Sequence, residues 1–308
     1  MRKVKSEQDL VARIIELKRE RKAIILSHNY QIPEVQDVAD YLGDSLELSI
    51  KASKTDAKVI VFCGVHFMAE TAAILSPEKV VLMPDIHSGC PMADMITVEQ
   101  LKELKSEHPG AVVVCYVNTS AEIKAESDIC CTSSNAVKVV QSIPREKEII
   151  FIPDKHLAKF VEGETGRKMI IFDGYCPSHV RMMAEELHQV QERYRDAPIL
   201  VHPEAPADII READQILSTS GICRVAKESE SSTIIVATEP GILYRLEKEN
   251  PEKTFVPACK WCNCANMKLN SLEKILWVLE DMENQVKVPV EIQKRARSAV
   301  EKMLQIAA

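Results

Sequence analysis

Short apolar runs that end in polar side chains recur along the chain in a fixed order, and the order comes round three times. Ala23-Ile24-Ile25-Leu26 leads into Ser27-His28-Asn29-Tyr30, Ala111-Val112-Val113-Val114 into Cys115-Tyr116-Val117-Asn118, and Pro198-Ile199-Leu200-Val201 into His202-Pro203-Glu204. Such β-branched runs predict buried parallel strands, and in open α/β sheets the carboxyl ends of the strands face a site. About 15 to 17 residues further on, each copy carries a hydroxyl-bearing turn before a helical stretch: Gly43-Asp44-Ser45, Thr132-Ser133-Ser134 and Ser218-Thr219-Ser220-Gly221. A second apolar run follows at 59–62, 149–152 and 233–236, then a helix such as 68–75. A third run, at 80–83, 169–172 and 254–256, leads on to a cysteine.

The cysteines that close the copies are Cys90, Cys176 and Cys264, 86 and 88 residues apart. His28 to Cys90 is 62 residues, and His202 to Cys264 is also 62. A period of this kind predicts repeated supersecondary units. The expected fold is α/β: three pseudo-threefold-related αβα units, each with a small parallel sheet, around one centre. Their boundaries are read as 1–89 with 270–308, 90–175, and 176–269. Amphipathic helices are expected at 5–21, 272–283 and 289–306, packed on the first unit.

Composition narrows the class. A length of 308 residues would suggest about two domains, but the repeat overrides that prior. There is no run of about 18 apolar residues, and the chain does not open on a signal peptide, so a cytoplasmic enzyme is expected, with no membrane partner. Ten cysteines in that setting read as thiols and metal ligands, not as a disulfide framework. A net charge of −7 argues against a nucleic-acid surface.

Three thiolates, one per copy, suit an iron–sulfur cluster with one iron left without a protein ligand. Cys90 and Cys176 are each followed by proline, which stiffens a ligand loop. Cys63, Cys115, Cys130, Cys131 and Cys223 read as core. Cys259, Cys262 and Cys264 also form a C-x2-C-x-C knuckle, for which zinc would need a fourth ligand. The alternative is that only Cys264, in repeat register, is a ligand, and the role of Cys259 and Cys262 stays open. Around the same axis fall His28, Tyr30, Asp44, Ser45, Tyr116, Asn118, Ser133, His179, His202, Glu204 and Thr219. Hydroxyls at helix starts hold carboxylates and phosphates well, so a small, multiply anionic ligand is expected. Tyr30 and Glu204 are candidate proton carriers.

Ser27-His28-Asn29-Tyr30-Gln31, Gly43-Asp44-Ser45, Tyr116-Val117-Asn118-Thr119-Ser120, Cys131-Thr132-Ser133-Ser134-Asn135-Ala136, His202-Pro203-Glu204, Ser218-Thr219 and Cys264-Ala265-Asn266-Met267 together resemble the quinolinate synthase family. The resemblance runs from about Arg13 to the C-terminal helices. It implies a [4Fe-4S] cluster on Cys90, Cys176 and Cys264, with one iron not ligated by protein. It implies condensation of iminosuccinate, handed over from L-aspartate oxidase, with dihydroxyacetone phosphate to give quinolinate in NAD biosynthesis. By position it makes His28, Ser45, Tyr116, Asn118, Ser133, His202, Glu204 and Thr219 substrate contacts, and Tyr30, His179 and Glu204 the proton-transfer residues. Ala205 stands where the family often has cysteine, away from the ligand positions. Two other classes stay in view: an iron–sulfur hydro-lyase acting on a small hydroxy acid, and a non-catalytic cluster sensor.

Overall fold

Each repeat folds as a four-stranded parallel sheet, and the three sheets share one strand order. The computed structural model describes residues 6–306. The first sheet holds β1 (Ala23–His28), β2 (Tyr41–Gly43), β3 (Val59–Cys63) and β4 (Val80–Leu82) in the order β2-β1-β3-β4. The second holds β5 (Val112–Tyr116), β6 (Ile129–Cys131), β7 (Ile149–Ile152) and β8 (Ile170–Ile171) in the order β6-β5-β7-β8. The third holds β9 (Ile199–Val201), β10 (Gln215–Ile216), β11 (Thr233–Ala237) and β12 (Thr254–Pro257) in the order β10-β9-β11-β12. All nine pairings are parallel. The expected α/β architecture of three similar units is therefore present.

The fourth strand of each sheet (β2, β6 and β10) escaped the sequence reading. These are edge strands of two or three residues, too short to show a pattern. What fixes them is an aspartate immediately before each one. Asp40, Asp128 and Asp214 accept the backbone N–H of Ile25, Val113 and Ile199 at 2.7, 2.8 and 2.7 Å, each 15 residues apart in sequence. Each aspartate returns its own N–H to the carbonyl of the same partner, at 2.9, 3.1 and 3.0 Å. The carboxylate takes up a donor that an edge would otherwise leave unpaired, and the reciprocal pair sets the register.

Strand alternation sorts the core. In the first unit Ile24, Leu26, Ile60 and Phe62 face a central cluster shared with the other units, whereas Ile25, Val59, Val61 and Cys63 face outward. That outer layer is closed by Leu10, Ile14 and Leu17 of the helix Glu7–Arg21 and by Ile275, Leu276 and Leu279 of the helix Leu272–Asp281. The N-terminal helix was expected from residue 5, which lies outside the described residues. The last helix, Val290–Ile306, departs from expectation. It lies across the seam between the first two units, against His66–Leu75 on one side and Ala121–Ala125 and β6 on the other. Its small and apolar face (Ala296, Ala299, Val300 and Met303) fits that groove, so packing on the first unit alone is corrected.

Candidate active site

The strand ends deliver the polar residues to one place. His28 and Tyr116 close β1 and β5, and His202 follows β9 directly. Ser45 and Thr219 open the helices Ser45–Lys54 and Thr219–Glu228, capped by the side chains of Asp44 and Ser218. Ser133 lies in the turn before the helix Ala136–Ser142. All thirteen residues put forward as ligands, substrate contacts or proton carriers line a single cavity. Its volume of about 70 Å³ would take several waters at roughly 10–15 Å³ each, enough for a small ligand. The helix starts are laced across the seams: Ser134 Oγ donates to Asp44 Oδ2 at 2.5 Å, and the Asp44 N–H donates to Ser220 Oγ at 3.3 Å.

Two histidines are held alike. The Tyr30 N–H donates to His28 Nδ1 at 3.2 Å, and the Glu204 N–H donates to His202 Nδ1 at 3.4 Å. An accepting Nδ1 leaves the proton on Nε2. Burial pushes both imidazoles down to about 3, so each is a neutral Nε2–H donor at physiological pH. His202 gives that proton to Ser133 Oγ, 3.2 Å away.

Glu204 is the hub. Its Oε1 accepts from the Tyr116 hydroxyl at 2.5 Å and from Asn118 Nδ2 at 3.5 Å, and its Oε2 lies 2.8 Å from His179 Nδ1. Burial opposes the charge, but the His179 contact and the Tyr116 hydrogen bond prevail and hold the carboxyl below its usual range. His179 Nε2 meets Thr238 Oγ1 at 2.9 Å, and Thr238 in turn meets the Tyr30 hydroxyl at 2.5 Å. Burial and the charge of Glu204 raise the Tyr30 phenol well above its ordinary value, so it keeps its proton. A continuous chain thus runs Tyr30–Thr238–His179–Glu204–Tyr116 through residues of all three units. The Asn118 carbonyl oxygen is buried with no partner, facing work that a ligand could do.

Cys90, Cys176 and Cys264 are free thiols at the edge of this cavity. Each cysteine opens a turn: its carbonyl accepts the N–H of Ala93 at 2.8 Å after Cys90, of Val180 at 3.0 Å after Cys176, and of Met267 at 3.1 Å after Cys264. The backbone amides of Ala93, His179 and Met267 close to the three sulfurs favour the thiolates, against the larger effect of burial. Burial pushes the Cys90 thiol up to about 12 and raises Cys176 and Cys264 as well, so a cationic centre is what would take them as thiolates. Three soft donors, one per unit and without disulfide partners, fit an iron–sulfur cluster. A second donor set, Cys176, His179 and Glu204, lies within 4.8 Å and could hold a single ion. Two buried acids brace the ligand loops from equivalent places after the middle strand. Asp154, whose Oδ1 accepts from the Leu157 N–H at 2.7 Å, pairs through its backbone with Gly174 in the Cys176 loop, and the Cys264 N–H donates to Glu239 Oε1 at 3.2 Å. In the first unit that place is Val65. The Cys176 loop also depends on Gly174, where a Cβ would stand 2.4 Å from the Pro153 carbonyl oxygen.

The family described as Quinolinate synthetase A protein matches residues 12–305. The chain belongs to the quinolinate synthase family. A quinolinate synthase of Dehalococcoides mccartyi is 55% identical over 294 residues, covering 96% of this chain and 97% of the relative. Quinolinate synthase 1 of Methanosarcina acetivorans is 50% identical over 300 residues, covering 97% and 98%. A Geobacter quinolinate synthase is 50% identical over 301 residues, covering 98% and 99%. As a quinolinate synthase the chain is an enzyme of NAD biosynthesis. It acts on small molecules, condensing iminosuccinate with dihydroxyacetone phosphate, and the family carries an iron–sulfur cluster. No helix among the described residues is long and apolar enough to cross a membrane.

The quinolinate synthase fold also corrects one expectation. Cys259 and Cys262 are joined in a disulfide, whereas all the cysteines were expected to be thiols or ligands. The C-x2-C turn brings their Cα atoms to 5.6 Å, within bridging range, and both are buried in the core of the third unit. Bridged sulfurs cannot serve a metal, which leaves Cys264 as the member of the knuckle that faces the cavity. The reading missed Thr238, Asp154 and Glu239. All three sit in the first two positions past a middle strand, but the copies carry different residue types there, so no motif announces them. A buried acid directly after an apolar run was the available signal.

Proposed function

We propose that the condensation takes place in this cavity, where Cys90, Cys176 and Cys264 would hold a [4Fe-4S] cluster and leave one iron without a protein ligand. The convergence of three thiols and ten polar side chains, from three units, on one cavity supports this reading above all. When bound, the cluster supplies an open iron as a Lewis acid. Ser45, Ser133 and Thr219, with their helix starts, hold the carboxylates and phosphate, and the Nε2–H groups of His28 and His202 add neutral donors. Tyr116 and Asn118 hold Glu204 and offer the substrate their remaining polar atoms. Glu204, ionised, removes a proton from iminosuccinate carbon to favour the enamine nucleophile. Tyr30 returns a proton to a leaving oxygen, and His179 links the two through Thr238. One carbon–carbon and one carbon–nitrogen bond form, and phosphate and two waters leave. The reading includes a cytoplasmic location, receipt of iminosuccinate from L-aspartate oxidase, and units spanning 1–89 with 270–308, 90–175, and 176–269.

The test is anaerobic. Cluster-reconstituted protein is given dihydroxyacetone phosphate, with iminosuccinate formed in situ from oxaloacetate and ammonia, and quinolinate is measured by chromatography. Formation of the pyridine is expected. Turnover of a small hydroxy acid without any pyridine would favour a hydro-lyase instead. Alanine at Cys90, Cys176 or Cys264 should abolish stable iron incorporation, whereas alanine at Cys63 or Cys223 should keep it. Full iron in Cys264→Ala would overturn the ligand assignment.

A further inference from the structure

Thr219 is one of three helix-start hydroxyls in the cavity wall, and its orientation is decided behind the wall. Its Oγ1 accepts from Asn29 Nδ2 at 2.9 Å, across the seam between the third and first units. Asn29 is fully buried, and its Oδ1 accepts from Arg245 Nη1 at 2.7 Å. A guanidinium can only donate. The oxygen of Asn29 must therefore face Arg245, which turns the amide nitrogen, a pure donor, towards Thr219. Both supports are themselves held. The Asn29 N–H donates to the Gly43 carbonyl at 3.2 Å, and Arg245 Nε donates to Glu249 at 2.7 Å. With its oxygen receiving a hydrogen bond from Asn29, Thr219 has its own O–H left to give to the cavity.

We infer that Arg245 and Asn29 are positioning residues that hold the Thr219 oxygen from behind and bias its hydroxyl to donate, so that its corner of the cavity favours an anionic oxygen of the substrate. A free hydroxyl could accept as readily as donate. With one lone pair taken by Asn29, the hydroxyl is biased to meet a carboxylate or phosphate with its proton, and a neutral donor in the same place gains less. The second unit uses the same device. His202, fixed as an Nε2–H donor, engages the Ser133 oxygen and leaves that hydroxyl's proton free. The inference rests on the proposal that Thr219 contacts iminosuccinate.

The test uses cluster-loaded full-length enzyme. Asn29→Asp keeps shape and the Arg245 contact but replaces the donor facing Thr219 with an acceptor, so the Thr219 proton turns away from the substrate. KM for iminosuccinate should rise about tenfold or more, the usual scale for a lost hydrogen bond to a charged group, with iron content and melting temperature kept and kcat changed much less. Thr219→Val should raise KM on a similar scale. In the double variant Asn29→Asp/Thr219→Val, KM should be no higher than in Thr219→Val alone, because one residue acts through the other. Multiplying effects would mean that the new carboxylate simply repels the substrate, and would overturn the inference. So would an unchanged KM in Asn29→Asp beside a raised KM in Thr219→Val, which leaves the substrate contact standing. An unchanged KM in Thr219→Val removes the contact itself, and the inference with it. If Asn29→Asp does not fold, Arg245→Met is the second route: it frees Asn29 to flip, and its smaller rise in KM should vanish in the Thr219→Val background.

Discussion

At Tyr30, burial and the charge of Glu204 keep the phenol protonated, while His179 and Tyr116 keep Glu204 ionised. Opposed shifts in neighbouring groups are how a site assigns its acid and its base. Tyr30→Phe preserves the ring contact with His28 and deletes only the hydroxyl that meets Thr238. Single-turnover rates should fall by roughly 10²–10⁴-fold with the iron content intact, and Glu204→Gln should behave in the same way. Near-wild-type rates in both variants would remove them from the proton chemistry. Both residues were legible in the sequence because they follow strand ends in the repeat. Thr238, which joins Tyr30 to His179, was not. A threonine after an apolar run reads as the end of a strand, and its partners lie 208 and 59 residues away.

Among elements, the short edge strands and the ligand loops depend on single residues. Asp128 satisfies the Val113 N–H and fixes β6 beside β5. Asp128→Ala should cost about 1–3 kcal/mol in denaturant unfolding, since a buried donor loses its partner, and Asp128→Asn should cost less. Gly174→Ala forces a methyl group into the Pro153 carbonyl, so the Cys176 loop must shift. Reduced iron per chain, with the other two ligand loops undisturbed, is the expected outcome, read by iron and sulfide analysis. Unchanged iron content would show that the loop can give way. The long inner strands were readable from their β-branched runs. The edge strands were not, because two or three residues carry no period, and a lone aspartate before them looks like ordinary loop. Set side by side, positions 40, 128 and 214 do keep the repeat's spacing.

Across the whole molecule, the threefold plan was legible and the closing of its seams was not. Amphipathic spacing identifies the helix Val290–Ile306 but not the surface it meets. Met303 is fully buried in the groove between two units, and its carbonyl accepts from Asn135 Nδ2 at 3.2 Å. Met303→Ala should cost about 2–5 kcal/mol of stability. Because the helix joins the first two units, the loss should appear as one cooperative transition moved to lower denaturant. A separate early transition would mean that the helix is only an appendage. The three aspartate clamps, finally, bear on how such chains change over descent. Each closes a loop whose ends are bonded in both directions across 15 residues, so one residue added or lost inside it would slip an edge strand and carry a helix-start hydroxyl off its mark. Insertions and deletions among relatives should therefore avoid 25–40, 113–128 and 199–214. They should collect in exposed turns such as 144–148, where nothing in the cavity depends on length.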